Sequence, residues 1–398
     1  MKFLFAILSI SIIAIVGSRL SFYKRRLPLG FRYILLVGTE YIFIGAILGQ
    51  MGFNFIDDQA VDLLEPALLF GLGWIGFLFG LQFEVKQLRA LPRYYFTITA
   101  IQALITFILV FFPLYFLLKL FFKDTDIHLF SAALTLASAA CCTAQSALAI
   151  VSRAHKFKNR GLAELLRYIS SVDGLFGILF FTVALSILPG MKESGFEWLV
   201  SFKWLALSIS MGVVSALILF LLTNRKLSQD ELLLFLIGTV LFCAGLAHTI
   251  HHSPLVSGLI CGILFANFSH HRIRALTIVV HAEKSIYIML LLILGASWSF
   301  KPDFSLTLMV AYFLLRLVGK MTGSFIAVKS FPPRYSVPRY LGLGLIPEGG
   351  LAIAIIVNFK LHTVIGIANT MITIIVLSVL ISELIGPFFI VKLFREKE

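Results

Sequence analysis

Residues 165–188 read LLRYISSVDGLFGILFFTVALSIL, a stretch apolar and long enough to cross a bilayer as one helix, with Asp173 near its centre. A span needs about 20 predominantly apolar residues to cross the hydrocarbon. A carboxylate inside that layer is costly, and it is kept where it faces water, an ion or a partner group. Asp173 is therefore the leading functional candidate. The bland alternative is a carboxylate that pins its helix to a neighbour through a hydrogen bond.

The composition around this stretch agrees with it. Of 398 residues, 59% are hydrophobic and only 13% charged, too little polar surface for a water-soluble globule. The chain reads as an all-α polytopic membrane protein. Apolar runs predict spans near 3–18, 31–50, 63–82, 94–120, 128–151, 162–188, 198–222, 231–250, 254–268, 284–299, 304–328, 340–358 and 364–391. The tail after the last run is only KLFREKE, so no soluble regulatory domain is expected.

Loop charge gives the count and the orientation. Alternate loops are basic: Arg19, Lys24, Arg25, Arg26 and Arg32 in the first, Lys86, Arg89 and Arg93 in the third, Arg153, Lys156, Lys158 and Arg160 in the fifth. The pattern continues with Arg225 and Lys226, with Arg272, Arg274 and Lys284, and onwards to the C-terminus, whereas the intervening loops carry single lysines such as Lys123, Lys192 and Lys360. Cytoplasmic loops are enriched in lysine and arginine, so about 13 spans with the N-terminus outside and the C-terminus in the cytoplasm fit best. The same loops account for the net charge of +13 without nucleic acid as a partner. Lys2 followed by FLFAILSISIIAIVGS has the outline of a signal peptide. Cleavage would leave RLSFYKRR outside, so the segment reads as the first transmembrane helix.

Other residues exclude other chemistry. Cys141, Cys142, Cys243 and Cys261 fall within spans without metal-ligand spacing and read as packing residues. His248, His251 and His252, and separately His270 and His271, read as interfacial histidines at helix ends. No nucleophile–base pair, phosphate loop or cofactor motif stands out, so neither an enzyme nor a cofactor is expected. Glu40 and Glu383 read as interhelical carboxylates, and Glu164 with Arg167 as a pair at i,i+3.

Five segments, in order, carry a family resemblance: FGLGWIGFLFGLQFEVKQLR (70–89), SPLVSGLICGILFAN (253–267), LLRLVGKMTGSFIA (314–327), GLGLIPEGGLAIAI (342–355) and SELIGPFFIVKLF (382–394). Together they resemble the bacterial monovalent cation:proton antiporters, the superfamily of sodium/proton exchangers and potassium-efflux-type transporters. The resemblance implies one transmembrane domain of two inverted six-helix repeats, about 1–190 and about 230–393, joined by a linker helix at about 196–223. It implies a homodimer in the plasma (inner) membrane that exchanges protons for a monovalent cation by alternating access and serves pH homeostasis. Sodium is the first candidate cation, with potassium or lithium as alternatives.

The resemblance also assigns residues. Two interrupted helices should cross at ASAACCTAQSALAI, around Thr143, Ala144 and Gln145, and at Pro347 to Gly350, with Gly349 between. Physical reasoning agrees, since proline removes a donor and paired glycines ease unwinding, and unpaired backbone is tolerated in a membrane only where it lines a cavity or binds an ion. A kinked but continuous helix is the alternative for PEGG. Asp173 occupies the position of the family's shared proton and cation site, with Thr143, Ser170 and Ser171 as candidate ligands. Competition between proton and cation for one carboxylate then gives antiport.

Two departures stand out. The residue before the aspartate is Val172 where the family has Asp or Asn, and Thr143-Ala144-Gln145 replaces Thr-Asp-Pro or Thr-Ser-Pro. A core basic residue is expected at Arg316 or Lys320, and Arg316 fits the spacing better. Arg316 should form a buried pair with Glu348 or Asp173, whereas Lys320 reads as snorkelling to the cytoplasmic end. The remaining readings are a sodium-coupled carrier of an organic solute on the same fold and a non-transporting membrane receptor or subunit.

Overall fold

The structure is a computed structural model and describes residues 38–123, 126–154, 160–192, 195–300, 304–362 and 367–395. Where a chain crosses hydrocarbon, each segment has to satisfy its own backbone groups, and a helix does so. The helices are α1 (Glu40–Leu48), α2 (Asp58–Leu63), α3 (Glu65–Leu81), α4 (Val85–Ala90), α5 (Arg93–Phe121), α6 (Asp126–Cys141), α7 (Gln145–Ala154), α8 (Arg160–Gly190), α9 (Trp198–Thr223) and α10 (Gln229–Thr249). They continue with α11 (Pro254–Phe268), α12 (Arg272–Ala296), α13 (Ser305–Ser330), a 3-10 turn at Leu341–Leu345, α14 (Gly350–His362) and α15 (Ala368–Arg395). A two-residue antiparallel ladder, Met191–Lys192 with Gly195–Phe196, joins α8 to α9.

Among the described residues nine helices are long and apolar enough to cross a membrane, and the shorter apolar helices α11 and α14 add two. The expected span near 3–18 and the N-terminal orientation lie outside the described residues, and the span near 31–50 is described only from Gly38 onwards. One boundary differs markedly from expectation. The span predicted at 284–299 begins at Arg272, so Arg272, Arg274 and Lys284, read as one loop, belong to a helix. Arg272 is held there by an ion pair with Glu84, and Lys284 lines an open cavity beside the broken helices.

The pattern of packing repeats itself along the chain. α1 packs on α12 as α11 packs on α3; α5 lies on α6 as α13 lies on the 3-10 turn; α8 packs on α5 and α6 as α15 packs on α13 and the 3-10 turn; and α5 and α13 pack on each other. Exchanging the first set of elements for the second maps each of these pairings onto its counterpart, and the pair of α5 and α13 onto itself. The two sets are seven spans apart, an odd number, so one set runs through the membrane upside down relative to the other. This is the inverted-repeat arrangement, with α9 packed against α8, α10 and α11 between the sets.

Small residues set the closest of these contacts. A Cβ on Gly76 would be driven into the Leu255 carbonyl, one on Gly258 into that of Gly73, and one on Gly262 into that of Phe77, so α3 and α11 meet backbone to backbone. Adding bulk there forces the helices apart, at about 1–3 kcal/mol or more. Gly258→Val is therefore expected to lower the melting temperature of the detergent-solubilised protein. Gly238→Ala on α10, where nothing lies within 4 Å of the added methyl, is expected to be neutral or to stabilise by up to about 1 kcal/mol.

Candidate functional site

Two helices break where the sequence predicted it. α6 ends at Cys141 and α7 begins at Gln145, leaving Cys142, Thr143 and Ala144 outside helix; the 3-10 turn ends at Leu345 and α14 begins at Gly350. The broken segments touch, because the Ala144 N–H donates to the Pro347 carbonyl at 2.8 Å. Gly349 permits this crossing, since a Cβ there would come within 2.9 Å of the Ala144 methyl.

Interrupting a helix strands its last carbonyls, and in lipid each stranded group costs several kcal/mol. Arg316 takes up three of them. Its Nε donates to the Ala140 carbonyl at 3.2 Å, one terminal nitrogen to the Cys142 carbonyl at 2.8 Å, and the other to the Ile346 carbonyl. One guanidinium thus ties the end of α6 to the start of the second break, with the partial negative end of α6 facing it. Glu348 sits 3.8 Å from Arg316 Nε and is fully buried. Its two oxygens accept hydrogen bonds from the Tyr312 hydroxyl at 2.6 Å and the Ser378 hydroxyl at 2.7 Å, and its N–H donates to Ser382 at 3.0 Å. The Arg316–Glu348 pairing expected from sequence is present, but the arginine's shortest bonds go to carbonyls.

Lys320, one turn further along α13, departs from its expected role. It is fully buried rather than snorkelling, and its Nζ lies 3.0 Å from Asp173 Oδ2. The same ammonium donates to the Cys141 carbonyl at 2.5 Å and to the Thr143 hydroxyl at 3.0 Å. α13 runs on to Ser330, so its end is about 15 Å away, beyond the reach of a lysine stem. Three nearby oxygens solvate the charge in place instead.

Asp173 completes this cluster from α8. Its side chain is fully buried, its Oδ1 accepts the Thr143 backbone N–H at 3.2 Å, and its Oδ2 accepts the Thr143 hydroxyl. Thr143 therefore joins Asp173 as the sequence proposed. Ser170 and Ser171 do not: Ser170 bonds the Leu166 and Arg167 carbonyls, and Ser171 the Arg167 carbonyl, all within their own helix. A cavity of about 430 Å³ opens onto Cys142, Thr143 and Ala144 on one wall and onto Gly349 and Gly350 on another. Gln145 lines it and donates to Gln82 at 2.9 Å, while Glu283, Lys284 and Tyr287 contribute from α12.

Several of these groups were not singled out from sequence. Tyr312 carries a usable signal, because Tyr312, Arg316 and Lys320 recur every four residues on an otherwise apolar helix and so share one face. Ser378 and Ser382 repeat at the same spacing on α15. The cysteines behave as packing residues: Cys141 points its thiol at the Ala103 and Ala137 carbonyls, and Cys142 at that of Ser138. Among the described residues no group of three or more His, Cys, Asp or Glu converges as a metal site. His252, read as interfacial, is instead buried and stacked on Trp204 at 4.7 Å.

Comparison with known proteins bears on this geometry. A sequence model of the transmembrane sodium/hydrogen exchanger family matches residues 4–396. Among solved structures, the chain is similar to the sodium proton antiporter MjNhaP1 from Methanocaldococcus jannaschii, with 17% identity, a TM-score of 0.67, and coverage of 99% of this chain and 100% of that one. At that identity the likeness shows a shared fold. No curated protein matches by sequence.

The carbonyl-bound geometry of Arg316 predicts a specific failure. Arg316→Gln should destabilise the protein by about 3–5 kcal/mol, because Glu348 and three carbonyls lose a charged partner. The swap of Arg316→Glu with Glu348→Arg should recover none of this, since it sets a carboxylate against those carbonyls. Thermal melts of the single and double variants check both statements.

Proposed function

The chain belongs to the sodium/hydrogen exchanger family, and we propose that it exchanges a monovalent cation for protons at Asp173, with the Lys320 ammonium occupying the cation's place in this conformation. Membership makes the protein a multi-pass membrane transporter of cations and protons rather than an enzyme. The observation that carries the finer reading is the oxygen cage around Lys320 Nζ: one carboxylate, one hydroxyl and one helix-terminal carbonyl within 3.0 Å. That donor set suits an alkali cation as well as an ammonium. Sodium is the first candidate.

Electrostatics gives the exchange its logic. Asp173 with Lys320 and Glu348 with Arg316 balance to zero, which is what the membrane interior tolerates. A cation that enters the cage adds one charge, so one proton has to leave, and with Asp173 ionised against Lys320 it leaves from the ammonium. Two cations cannot share one carboxylate in a medium of low polarity, and binding of one therefore expels the other. With Val172 in place of a second acid, this amounts to one-for-one exchange that is indifferent to membrane voltage.

The 430 Å³ cavity supports an access route from the side of Gln82 and Gln145, which the basic loops following α3 and α7 mark as cytoplasmic. In this reading α5 to α8 and α13 to α15 move together, carrying the crossing past α1, α3 and α10 to α12. The linker α9 divides the two repeats. Ser170 and Ser171 lie outside the proposed ligand set. The homodimer and a role in pH homeostasis follow from the same family reading.

Two variants test the assignment in proteoliposomes holding a pH dye, with sodium, potassium and lithium supplied in turn. Asp173→Asn removes the titratable charge but keeps the side chain's shape, and should reduce cation-dependent proton flux to background. Undiminished flux there would falsify the assignment. Lys320→Gln removes the competing ammonium and should tighten apparent cation affinity about tenfold or more, equivalent to about 1.4 kcal/mol. An unchanged or weaker affinity would mean that Lys320 braces the fold rather than competes with the cation.

A further inference from the structure

A second cavity, of about 650 Å³, lies between the bend from α3 to α4 and the turn from α11 to α12, at the end of the molecule that carries the basic loops. Polar side chains fix its walls. Asn267 donates to the Phe83 carbonyl at 2.8 Å and accepts the Val85 N–H at 2.8 Å, which ties the start of α4 to the end of α11. Arg272, only 9% exposed, forms its ion pair with Glu84, and both line the cavity.

That pair cancels the only acid among the described residues of the lining and leaves Lys86 and Arg89 of α4 uncompensated. Among the described residues neither has a hydrogen-bond or ion-pair partner. Two further features of this wall call for an acceptor. Arg272 Nε is buried without a hydrogen-bond partner among the described residues, and the first turn of α12 has no side-chain cap, because its N-cap residue His271 turns its ring to Arg274 and to the Arg225 carbonyl. Uncapped N–H groups beside fixed positive charge favour an anion. The rim, by contrast, is apolar: Phe268 at the end of α11 is 71% exposed and Ile273 at the start of α12 is 75% exposed. A soluble anion gains nothing from such side chains, whereas the acyl chains of a lipid bury them.

We propose that this cavity takes the phosphate headgroup of an anionic phospholipid, with Lys86, Arg89 and the start of α12 on the headgroup and Phe268 and Ile273 against the acyl chains. The site opens at the surface that the basic loops mark as cytoplasmic, where a basic pocket between transmembrane helices suits that ligand. α4 joins α3 to α5, so it connects the frame to the bundle proposed to move. A lipid that bridges α4 and α12 pins this connector to the frame. The effect on movement rests on the antiport reading; the binding does not.

Thermal melts of the purified full-length protein in an uncharged detergent test the binding. Added phosphatidylglycerol should raise the melting temperature and saturate, whereas phosphatidylcholine and inorganic phosphate should not. Lys86→Gln with Arg89→Gln should keep the lipid-free melting temperature, since both side chains are exposed and unpartnered among the described residues, and should weaken the response to phosphatidylglycerol about tenfold or more. Lys86→Arg with Arg89→Lys should retain the response, and so should Lys329→Gln with Arg334→Gln, which removes the same charge elsewhere. An undiminished response in the first pair, an equal loss in the Lys329 and Arg334 pair, or an equal shift with inorganic phosphate would each overturn the proposal. Hydrogen exchange at the amides of α4 reads the pinning: phosphatidylglycerol should slow it in the wild type and not in Lys86→Gln with Arg89→Gln. Exchange that phosphatidylglycerol leaves unchanged in the wild type would overturn the bridge to α12. Neither measurement involves transport, so failure of flux would sink the antiport reading and leave both standing.

Discussion

The fold turns on how a membrane protein can afford two broken helices at its centre. A continuous helix hides its polar backbone; a broken one exposes carbonyls where no water is at hand to receive them. Here one guanidinium gathers Ala140, Cys142 and Ile346, groups from two chain segments far apart in sequence. Arginine suits this role because its donors form a rigid planar fork and its charge is permanent. Its position on α13 then fixes that helix against the crossing, which in turn sets Tyr312 and Lys320 on the same face.

From that anchor the rest of the polar centre follows. With the α6 carbonyls divided between Arg316 and Lys320, Thr143 is free to turn its N–H and hydroxyl to Asp173. The Glu348 carboxylate is held by hydroxyls of α13 and α15. Two acids at one crossing thus have different neighbours: Asp173 accepts from Thr143 and the Lys320 ammonium, Glu348 from the hydroxyls of Tyr312 and Ser378. Burial is equal in both cases, so the two acids differ in partner chemistry rather than in depth.

Much of this was legible in the sequence, for reasons that can be named. A carboxylate in mid-span is rare enough to mark Asp173, and Pro347 with two glycines advertises a break. Thr143 was reached through the family resemblance, which implied a crossing around it. Lys320 was misread because a lysine near one end of a predicted span has two physical options, reaching water or finding buried oxygens, and only the three-dimensional crossing supplies the oxygens. Ser170 and Ser171 donate to carbonyls of their own helix, as hydroxyls in apolar helices readily do, and a sequence does not show that choice of partner. The start of α12 was missed because Glu84, nearly two hundred residues away in sequence, is what allows Arg272 inside it.

The glycine seams have a mechanical consequence. Where α3 meets α11, and α1 meets α12, backbone lies on backbone with little side chain between, as at Gly45 against Leu292 and Gly295 against Ile42. Such a seam has few rotamers to rearrange and small side-chain entropy to gain on loosening. It behaves as a welded plate rather than a bearing. The movement proposed for exchange would therefore fall on surfaces padded with flexible side chains, with these plates as its fixed frame.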